Sequence, residues 1–189
     1  MSYKTEMRND QPQILTRRQA AALLVAPLLL AVPFLSATAD EGALKLTGGK
    51  QPLPLTALMT QSGQPLQLTD ISGQALLVNF WASWCAPCIV ELAALEAAAI
   101  QLKAASIQVI LVNLDRGGAA VAQPFLDERS ITTPLSAYDP KGEWARAVQL
   151  RVLPTTLLIK PNQSEYAMHT GAAEWNTAPI LHHIRDYFN

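Results

Sequence analysis

Two cysteines, the only ones in the sequence, stand at positions 85 and 88 and directly follow an apolar run. Residues 75–81 are rich in apolar and aromatic side chains and follow Ser72-Gly73, a pattern that predicts a short buried strand. Residues 89–102 have the pattern of a helix. Any fold of this chain must therefore place the cysteine pair between the end of a buried strand and the start of a helix.

The position of Cys85 at a helix N-terminus has a chemical consequence. Free backbone N–H groups and the positive end of the helix dipole stabilise an anion there, so Cys85 is the predicted nucleophile in its thiolate form. Cys88, one turn further along, can attack a mixed disulfide at Cys85 and release the partner. A bond between the two closes a very short ring and adds little stability, so we interpret the pair as a redox dithiol.

Two other interpretations of the cysteine pair remain on the residues alone. A zinc site needs about four ligands, and His169, His182 and His183 fit no zinc template by their spacing. A purely structural disulfide is the second alternative. The strand-to-helix context favours the redox pair over both, so no metal and no cofactor is expected. We expect His169 at the surface and assign no chemistry to His182 and His183.

Three motifs give the chain a family resemblance: Trp84-Cys85-Ala86-Pro87-Cys88, Pro154-Thr155-Thr156 and Gly171-Ala172-Ala173-Glu174-Trp175. Together they resemble the TlpA/ResA-like thioredoxin-fold thiol-disulfide oxidoreductases, and the TlpA branch in particular. The resemblance covers about residues 53–188. It implies an α/β thioredoxin fold, with three α/β/α layers around a mixed central sheet and an N-terminal β-hairpin extension.

Glu91 lies three residues after Cys88 and therefore on the same face of the predicted helix. An acidic side chain there either is solvated surface or sits beside the dithiol and carries the proton of Cys88. The resemblance favours the second role, because a glutamate at this position has it in the family. The family usually has a proline where this chain has Ala93, which leaves the local bend of the helix open.

Pro154 opens a predicted apolar strand, which by itself indicates an ordinary first-residue proline. The resemblance implies instead a cis-proline opposite the dithiol, with the backbone of Leu153 pairing with an extended partner. This chain has Leu150 where relatives often have a small residue. The resemblance also implies that Pro87 helps to set the redox potential. The expected catalytic residues are Cys85, Cys88, Glu91 and Pro154, and the expected partner-binding residues are Trp84, Ala86, Pro87, Leu153 and Thr155.

The remaining pattern agrees with this fold. Short alternating runs at residues 53–58 and 66–68 flank a turn and predict the N-terminal hairpin. Residues 106–114 predict a second buried strand, parallel to the first through the intervening helix. A strand at residues 166–169 is expected to pair antiparallel with the one that Pro154 opens. A last helix is expected to be capped by Asn176. Its predicted buried face comprises Ile180, Leu181, Ile184 and Tyr187.

The N-terminal residues differ from the rest of the chain. Arg17-Arg18 precede an almost wholly apolar stretch at residues 20–35, and Ala37-Thr38-Ala39 has the small-x-small form that signal peptidase cuts. We interpret residues 1–39 as an export signal of the twin-arginine-like or general secretory type, with an uncleaved membrane anchor as the alternative. Residues 40–52 are then a linker, and residues 53–189 a single thioredoxin-like domain.

Export in a Gram-negative bacterium would place the dithiol in the periplasm, either free or tethered to the inner membrane. The resemblance implies a protein-disulfide reductase there, acting on cysteine-containing exported proteins in the maturation of cytochrome c or of the copper centre of cytochrome oxidase. Such partners are apocytochrome c, copper-delivery proteins or an oxidase subunit. An oxidising compartment would drive the pair to a disulfide, so the reductase requires a membrane electron donor.

Two functional alternatives remain beside the reductase. One is an oxidase that forms disulfides in exported proteins, and the other is a non-catalytic thioredoxin-like module that binds a metal or a partner through the dithiol. The formal net charge of −1 over 189 residues gives no basis for a nucleic-acid partner. The balanced charge favours a monomer.

Overall fold

The computed structural model describes residues 44–48, 52–71 and 73–189, all of which belong to one compact unit. The predicted export signal at residues 1–39 lies outside the described residues. Among the described residues, no helix combines the length and the apolar character that crossing a membrane requires.

Eight strands and four helices are formed by the described part of the chain. The strands are β1 (Leu46–Gly48), β2 (Leu58–Met59), β3 (Pro65–Leu66), β4 (Ala75–Trp81), β5 (Ile107–Asn113), β6 (Leu135–Tyr138), β7 (Thr155–Ile159) and β8 (Tyr166–Thr170). The helices are α1 (Ala86–Lys103), α2 (Ala119–Glu128), α3 (Glu143–Ala147) and α4 (Ala178–Phe188).

All eight strands join one mixed sheet in the order β1-β8-β7-β4-β5-β6-β2-β3. The fully buried β4 lies at its centre, parallel to β5 and antiparallel to β7. β6 runs parallel to β5, and β8 antiparallel to β7. Because β4 and β5 are joined through α1, they form the predicted parallel unit.

Alternate residues of the sheet feed two apolar cores, one on each face. The first core lies under α1, α2 and α4, where Leu77, Leu95 and Ile184 are buried together. The second lies under α3 and the N-terminal hairpin, where Val78, Trp144 and Leu58 are buried together. Two helical layers around a mixed sheet confirm the predicted three-layer thioredoxin fold.

The N-terminal hairpin is present but shorter than predicted. β2 and β3 pair antiparallel over two residues each, with Leu58 opposite Leu66, and Met59 joins the hairpin to β6 through Tyr138. Residues 40–52 were predicted to be a linker, but Leu46–Gly48 form β1, which pairs with β8 at the other edge of the sheet. Three residues are too few to show a strand period in the sequence.

Two further expectations about the C-terminal part were wrong. Thr177, and not Asn176, is the N-cap residue of α4; its Oγ1 donates to the Glu174 carbonyl and makes no cap bond. His169 was expected at the surface but is 8% exposed. It is covered because Leu46 of β1 pairs beside it and the ring of Trp175 packs edge-on against its ring.

Candidate functional site

The dithiol lies where β4 ends and α1 begins, and the two cysteines form a disulfide with an S–S distance of 2.06 Å. Cys85 is the N-cap residue of α1, and its Sγ accepts a hydrogen bond from the backbone N–H of Cys88 at 3.4 Å. Cys85 is 6% exposed and Cys88 is fully buried. The geometry therefore stabilises negative charge on Cys85, the sulfur nearer to solvent.

A tight turn delivers the chain from β4 to Cys85, whose N–H donates to the Ala82 carbonyl at 3.1 Å. Ser83 lies within this turn. Its backbone N–H and its hydroxyl donate to the carboxylate of Asp115, which follows β5, at 2.9 Å and 3.0 Å. Asn113, the last residue of β5, donates to the same carboxylate at 2.7 Å. No role for Asp115 was predicted from the sequence, because its contact with Ser83 joins residues 32 positions apart.

Glu91 is buried on α1, one turn after Cys88, and is 3% exposed. Its Oε1 accepts from the side-chain amide of Asn79 at 2.8 Å. Its Oε2 accepts from the indole N–H of Trp175 at 2.8 Å and from the backbone N–H of Ala173 at 3.1 Å. The alternative of a solvated surface glutamate is thus excluded, and the carboxyl belongs to a buried polar network.

Burial raises the pKa of Glu91, because the charged form loses its water. The hydrogen bonds from Trp175, Asn79 and Ala173 stabilise the carboxylate and oppose that rise. A raised pKa makes the carboxyl a better proton acceptor than an exposed glutamate. Glu91 and Ala173 also line a pocket of about 790 Å³, so solvent-accessible space lies beside the carboxyl.

No role was predicted from the sequence for two residues of this network, Asn79 and Trp175. Asn79 is a polar residue in the otherwise apolar, fully buried β4, and that contrast was a usable signal. Its amide also donates to the hydroxyl of Thr156 on β7 at 3.0 Å. The network therefore connects α1, β4, β7 and the turn before α4.

Pro154 follows a cis peptide bond with Leu153, as the family resemblance implied. In the pairing of β4 with β7, Phe80 lies opposite Thr155, so Pro154 falls level with the end of β4, next to the start of the dithiol turn. The hydroxyl of Thr155 donates to the Val152 carbonyl at 2.7 Å and fixes this turn. Pro154 and Thr155 are buried, whereas Leu153 is half-buried.

The surface around the disulfide is apolar and exposed. Trp84 is 70% exposed and Val152 is 47% exposed. Ala86 and Pro87, between the cysteines, are exposed as well. Apolar side chains are therefore exposed immediately before Cys85, between the two cysteines, and two residues before Pro154.

No group of three or more metal-binding side chains is found among the described residues. His182 lies exposed on α4 and contacts Asp186 of the same helix at 2.8 Å. In the described structure, neither His182 nor the buried His169 forms a metal-ligand set with the two cysteines.

Residues 50–164 match the AhpC/TSA family. The chain belongs to this family. That stretch runs from before the N-terminal hairpin to beyond β7 and includes the dithiol, Glu91 and Pro154. The match therefore covers strands β2 to β7 and the cysteine pair at the end of β4.

Curated relatives of known name indicate which members of the family this chain resembles. The chain is 28% identical to the thiol-disulfide oxidoreductase ResA of Oceanobacillus iheyensis over 159 residues, which is 83% of this chain and 81% of that protein. It is 30% identical to the sporulation thiol-disulfide oxidoreductase A of Bacillus subtilis, over 58% of this chain and 68% of that protein. These relatives confirm the resemblance to the ResA-like oxidoreductases.

Solved structures agree. The structure of a thiol:disulfide interchange protein DsbE from Chlorobium tepidum is 30% identical, with a TM-score of 0.62, over 74% of this chain and 99% of that one. StoA from Bacillus subtilis, 22% identical over 67% of this chain and 94% of that one, shares the fold with a TM-score of 0.56. With its Cys85–Cys88 disulfide, this member of the AhpC/TSA family is a thiol-disulfide oxidoreductase.

Proposed function

We propose that the protein works as a reductase of disulfides in partner proteins. The observation that supports this direction is the buried carboxyl of Glu91 on the same helix as Cys88. A carboxylate in the interior disfavours a second negative charge nearby. It therefore disfavours thiolate in the reduced pair and favours the disulfide of the protein, which makes the dithiol a better electron donor.

The proposed cycle begins with attack by the Cys85 thiolate on a partner disulfide. One partner sulfur leaves as a thiolate, and the other stays bonded to Cys85 in a mixed disulfide. Cys88 loses its proton and attacks Cys85, which forms the Cys85–Cys88 disulfide and releases the second partner thiolate. Two electrons pass to the partner, so a donor must reduce the protein again before the next cycle.

Glu91 is proposed to take the proton that Cys88 loses. Its raised pKa and its position one turn along α1 from Cys88 support this role. The pocket beside Glu91 then offers the proton a route to solvent.

The partner is proposed to lie across the exposed surface beside the disulfide. The backbone of Leu153 pairs with an extended segment of the partner, while cis-Pro154 keeps its own chain from pairing there. Trp84, Ala86 and Pro87 contact the partner, and Thr155 holds the turn through its bond to Val152. The exposure of Trp84 and the half-burial of Leu153 support this arrangement.

The setting follows from the N-terminal sequence. We propose that residues 1–39 export the protein to the periplasm, with or without retention at the inner membrane, and that the thioredoxin-like domain follows a short linker. The partners are exported proteins with cysteine pairs, in cytochrome c maturation or in the assembly of the copper centre of cytochrome oxidase. A membrane protein supplies the electrons.

The reduction potential of the Cys85–Cys88 pair tests the direction. The purified protein is equilibrated with defined thiol-disulfide buffers, and the reduced fraction is measured by alkylation and mass. We expect a midpoint near or below about −200 mV, toward the value of about −270 mV for thioredoxin. A midpoint near about −120 mV would make the protein an oxidase. Stoichiometric copper binding by the reduced protein without turnover would instead indicate a binding module.

A further inference from the structure

We propose that Asp115 is a positioning residue for the dithiol: through Ser83 it holds Cys85 at the N-cap of α1. The inference rests on the thiol-disulfide chemistry of the site and is independent of the direction proposed for it. None of the hydrogen bonds of Asp115 described above reaches a sulfur atom. Asp115 acts instead by fixing the position of Ser83, in the turn that precedes Cys85.

Asp115 is 6% exposed, and its carboxylate accepts three hydrogen bonds. Oδ2 accepts from the Ser83 N–H at 2.9 Å and from the Asn113 amide at 2.7 Å, while Oδ1 accepts from the Ser83 hydroxyl at 3.0 Å. A buried carboxylate with several donors is held in one orientation. Ser83 donates both its N–H and its hydroxyl to this one carboxylate and is therefore held with it.

The support beneath this contact is the rigid end of the sheet. Asn113 and Trp81 are paired as the last residues of β5 and β4. Just beyond them, the N–H of Leu114 donates to the Trp81 carbonyl at 2.9 Å. The Asp115 N–H donates back to the Asn113 side chain at 2.9 Å. Asp115 thus anchors the turn before Cys85 to the ends of two buried strands, β4 and β5.

The consequence for the sulfur lies at the helix start. The turn is closed by the Cys85 N–H on the Ala82 carbonyl, and Cys85 then accepts from the Cys88 N–H through Sγ at 3.4 Å. A thiolate is a stronger acceptor than a disulfide sulfur, so this N-cap geometry stabilises the reduced form more than the oxidised form. Loosening Ser83 should therefore raise the pKa of the Cys85 thiol and shift the pair toward the disulfide.

The Asp115→Asn variant separates position from charge. An asparagine can accept from Ser83 N–H and Asn113 through its oxygen and donate to the Ser83 hydroxyl through its amide, so it can keep all the contacts without the charge. If the charge of Asp115 were what mattered, its removal would lower the pKa of Cys85 and shift the pair toward the dithiol. Asp115→Ala removes both charge and contacts.

Asp139 provides the matched control. Like Asp115, it follows the C-terminal end of a parallel strand, here β6, and it is 5% exposed. Its two oxygens accept from the backbone N–H groups of Glu143 and Ala145, at 2.8 Å and 2.9 Å, at the start of α3. Asp139→Ala therefore removes a comparable buried carboxylate that does not touch the dithiol turn.

The experiment measures, for each full-length variant, the equilibrium of the Cys85–Cys88 pair with glutathione, the pKa of Cys85 by thiolate absorbance and the melting temperature. Asp115→Ala is expected to shift the equilibrium about tenfold toward the disulfide, which is about 30 mV more negative, and to raise the pKa of Cys85. Ser83→Ala should shift it the same way by a smaller factor. Asp115→Asn should stay within about twofold of the wild type.

Asp139→Ala should lower the melting temperature and leave the equilibrium unchanged. The proposal is overturned if Asp115→Ala and Ser83→Ala stay within twofold of the wild type, or if Asp115→Asn shifts as far as Asp115→Ala. Should Asp115→Ala fail to fold, Ser83→Ala and Asp115→Asn decide the matter. The direction of the enzyme depends on the wild-type midpoint alone, so each proposal can fail without the other.

Discussion

The Asn79 amide donates to the carboxyl of Glu91 across the boundary between β4 and α1, with 2.8 Å between Nδ2 and Oε1. The other atom of that amide, Oδ1, is buried without a hydrogen-bond partner in the described structure. A half-turn of the Asn79 side chain would exchange the two atoms. Asn79 can therefore donate to an oxygen at the position of Glu91 Oε1 or accept from an N–H group placed there.

Glu91→Gln should fold and should be more stable than the wild type at neutral pH. Burial raises the pKa of Glu91 above 4.5, so the folded wild type binds a proton that the unfolded chain has released. The wild type accordingly loses stability as pH rises from about 4.5 through the raised value, and the glutamine variant does not. Denaturant unfolding at pH 4 and pH 7.5 should show a difference that grows with pH.

The same variant should slow the release of the partner. Without the carboxyl, attack of Cys88 on the mixed disulfide is expected to fall about a hundredfold at neutral pH, as for a lost general base. Stopped-flow mixing of reduced protein with a peptide disulfide measures this step. Glu96→Gln, on the same helix but bonded to Thr132 and Thr133, is the control and should leave the rate unchanged.

Trp175→Phe should destabilise the fold by about 3 kcal/mol, because it leaves a cavity and removes a hydrogen bond to a carboxylate. It should also raise the pKa of Glu91 further and move the pH profile of the reaction upward. Trp144→Phe is matched to it, since Trp144 is equally buried and its indole N–H bonds the Thr56 carbonyl. That variant should lose stability without moving the profile.

Cys85→Ala should abolish turnover of disulfides, whereas Cys88→Ser should accumulate mixed disulfides. Cys85 is the N-cap residue and the more exposed of the pair, so it is the sulfur that a partner meets first. Mass spectrometry after mixing with oxidised glutathione should find one glutathione on Cys88→Ser and none on Cys85→Ala. Turnover by Cys85→Ala would refute the assigned order of attack.

Trp84→Ala should leave the free energy of unfolding within about 0.5 kcal/mol of the wild type, because the side chain is 70% exposed. It should raise KM for a protein substrate roughly tenfold while kcat for a small disulfide stays constant. Leu55→Ala is the control, since Leu55 is 87% exposed and precedes β2, which β5 and β6 separate from β4 in the sheet. A change of KM in both variants would speak against a local docking role for Trp84.

His169 should make the fold sensitive to mild acid. Burial lowers the pKa of His169 below 6.5; a hydrogen bond with the Lys45 backbone opposes this, and the neighbouring charges of His183 and Lys45 add smaller decreases. The folded protein then binds fewer protons than the unfolded chain, so stability is lost as pH falls below about 6.5. His169→Phe should remove this loss in melting curves between pH 7.5 and pH 5. His182→Phe, at an exposed position of α4, should keep it.

The centre of the fold could be predicted because its signals are local. The apolar run predicted the strand bounds found for β4, Ala75–Trp81. The helix predicted at residues 89–102 lies within α1, which begins three residues earlier and ends one residue later. A buried strand has few alternatives once a turn precedes it and a helix follows it. The dithiol needed only this context.

The surroundings of Glu91 could not be predicted in the same way. Asn79 is 12 positions away in sequence and Trp175 is 84 positions away, so their meeting depends on the packing of distant elements. β1 was missed for a related reason: it is ordered by pairing with β8, far along the chain, and not by a pattern of its own. The same pairing buries His169.

The outermost strands of the sheet bear on how the protein resists aggregation. β1 has three residues and β3 has two, and β3 begins with Pro65, which has no N–H to offer to a further strand. Short edges of this kind, with Lys45 exposed beside one of them, discourage the addition of foreign chains. Such edges should keep the protein from templating misassembly when it meets the partner proteins proposed above.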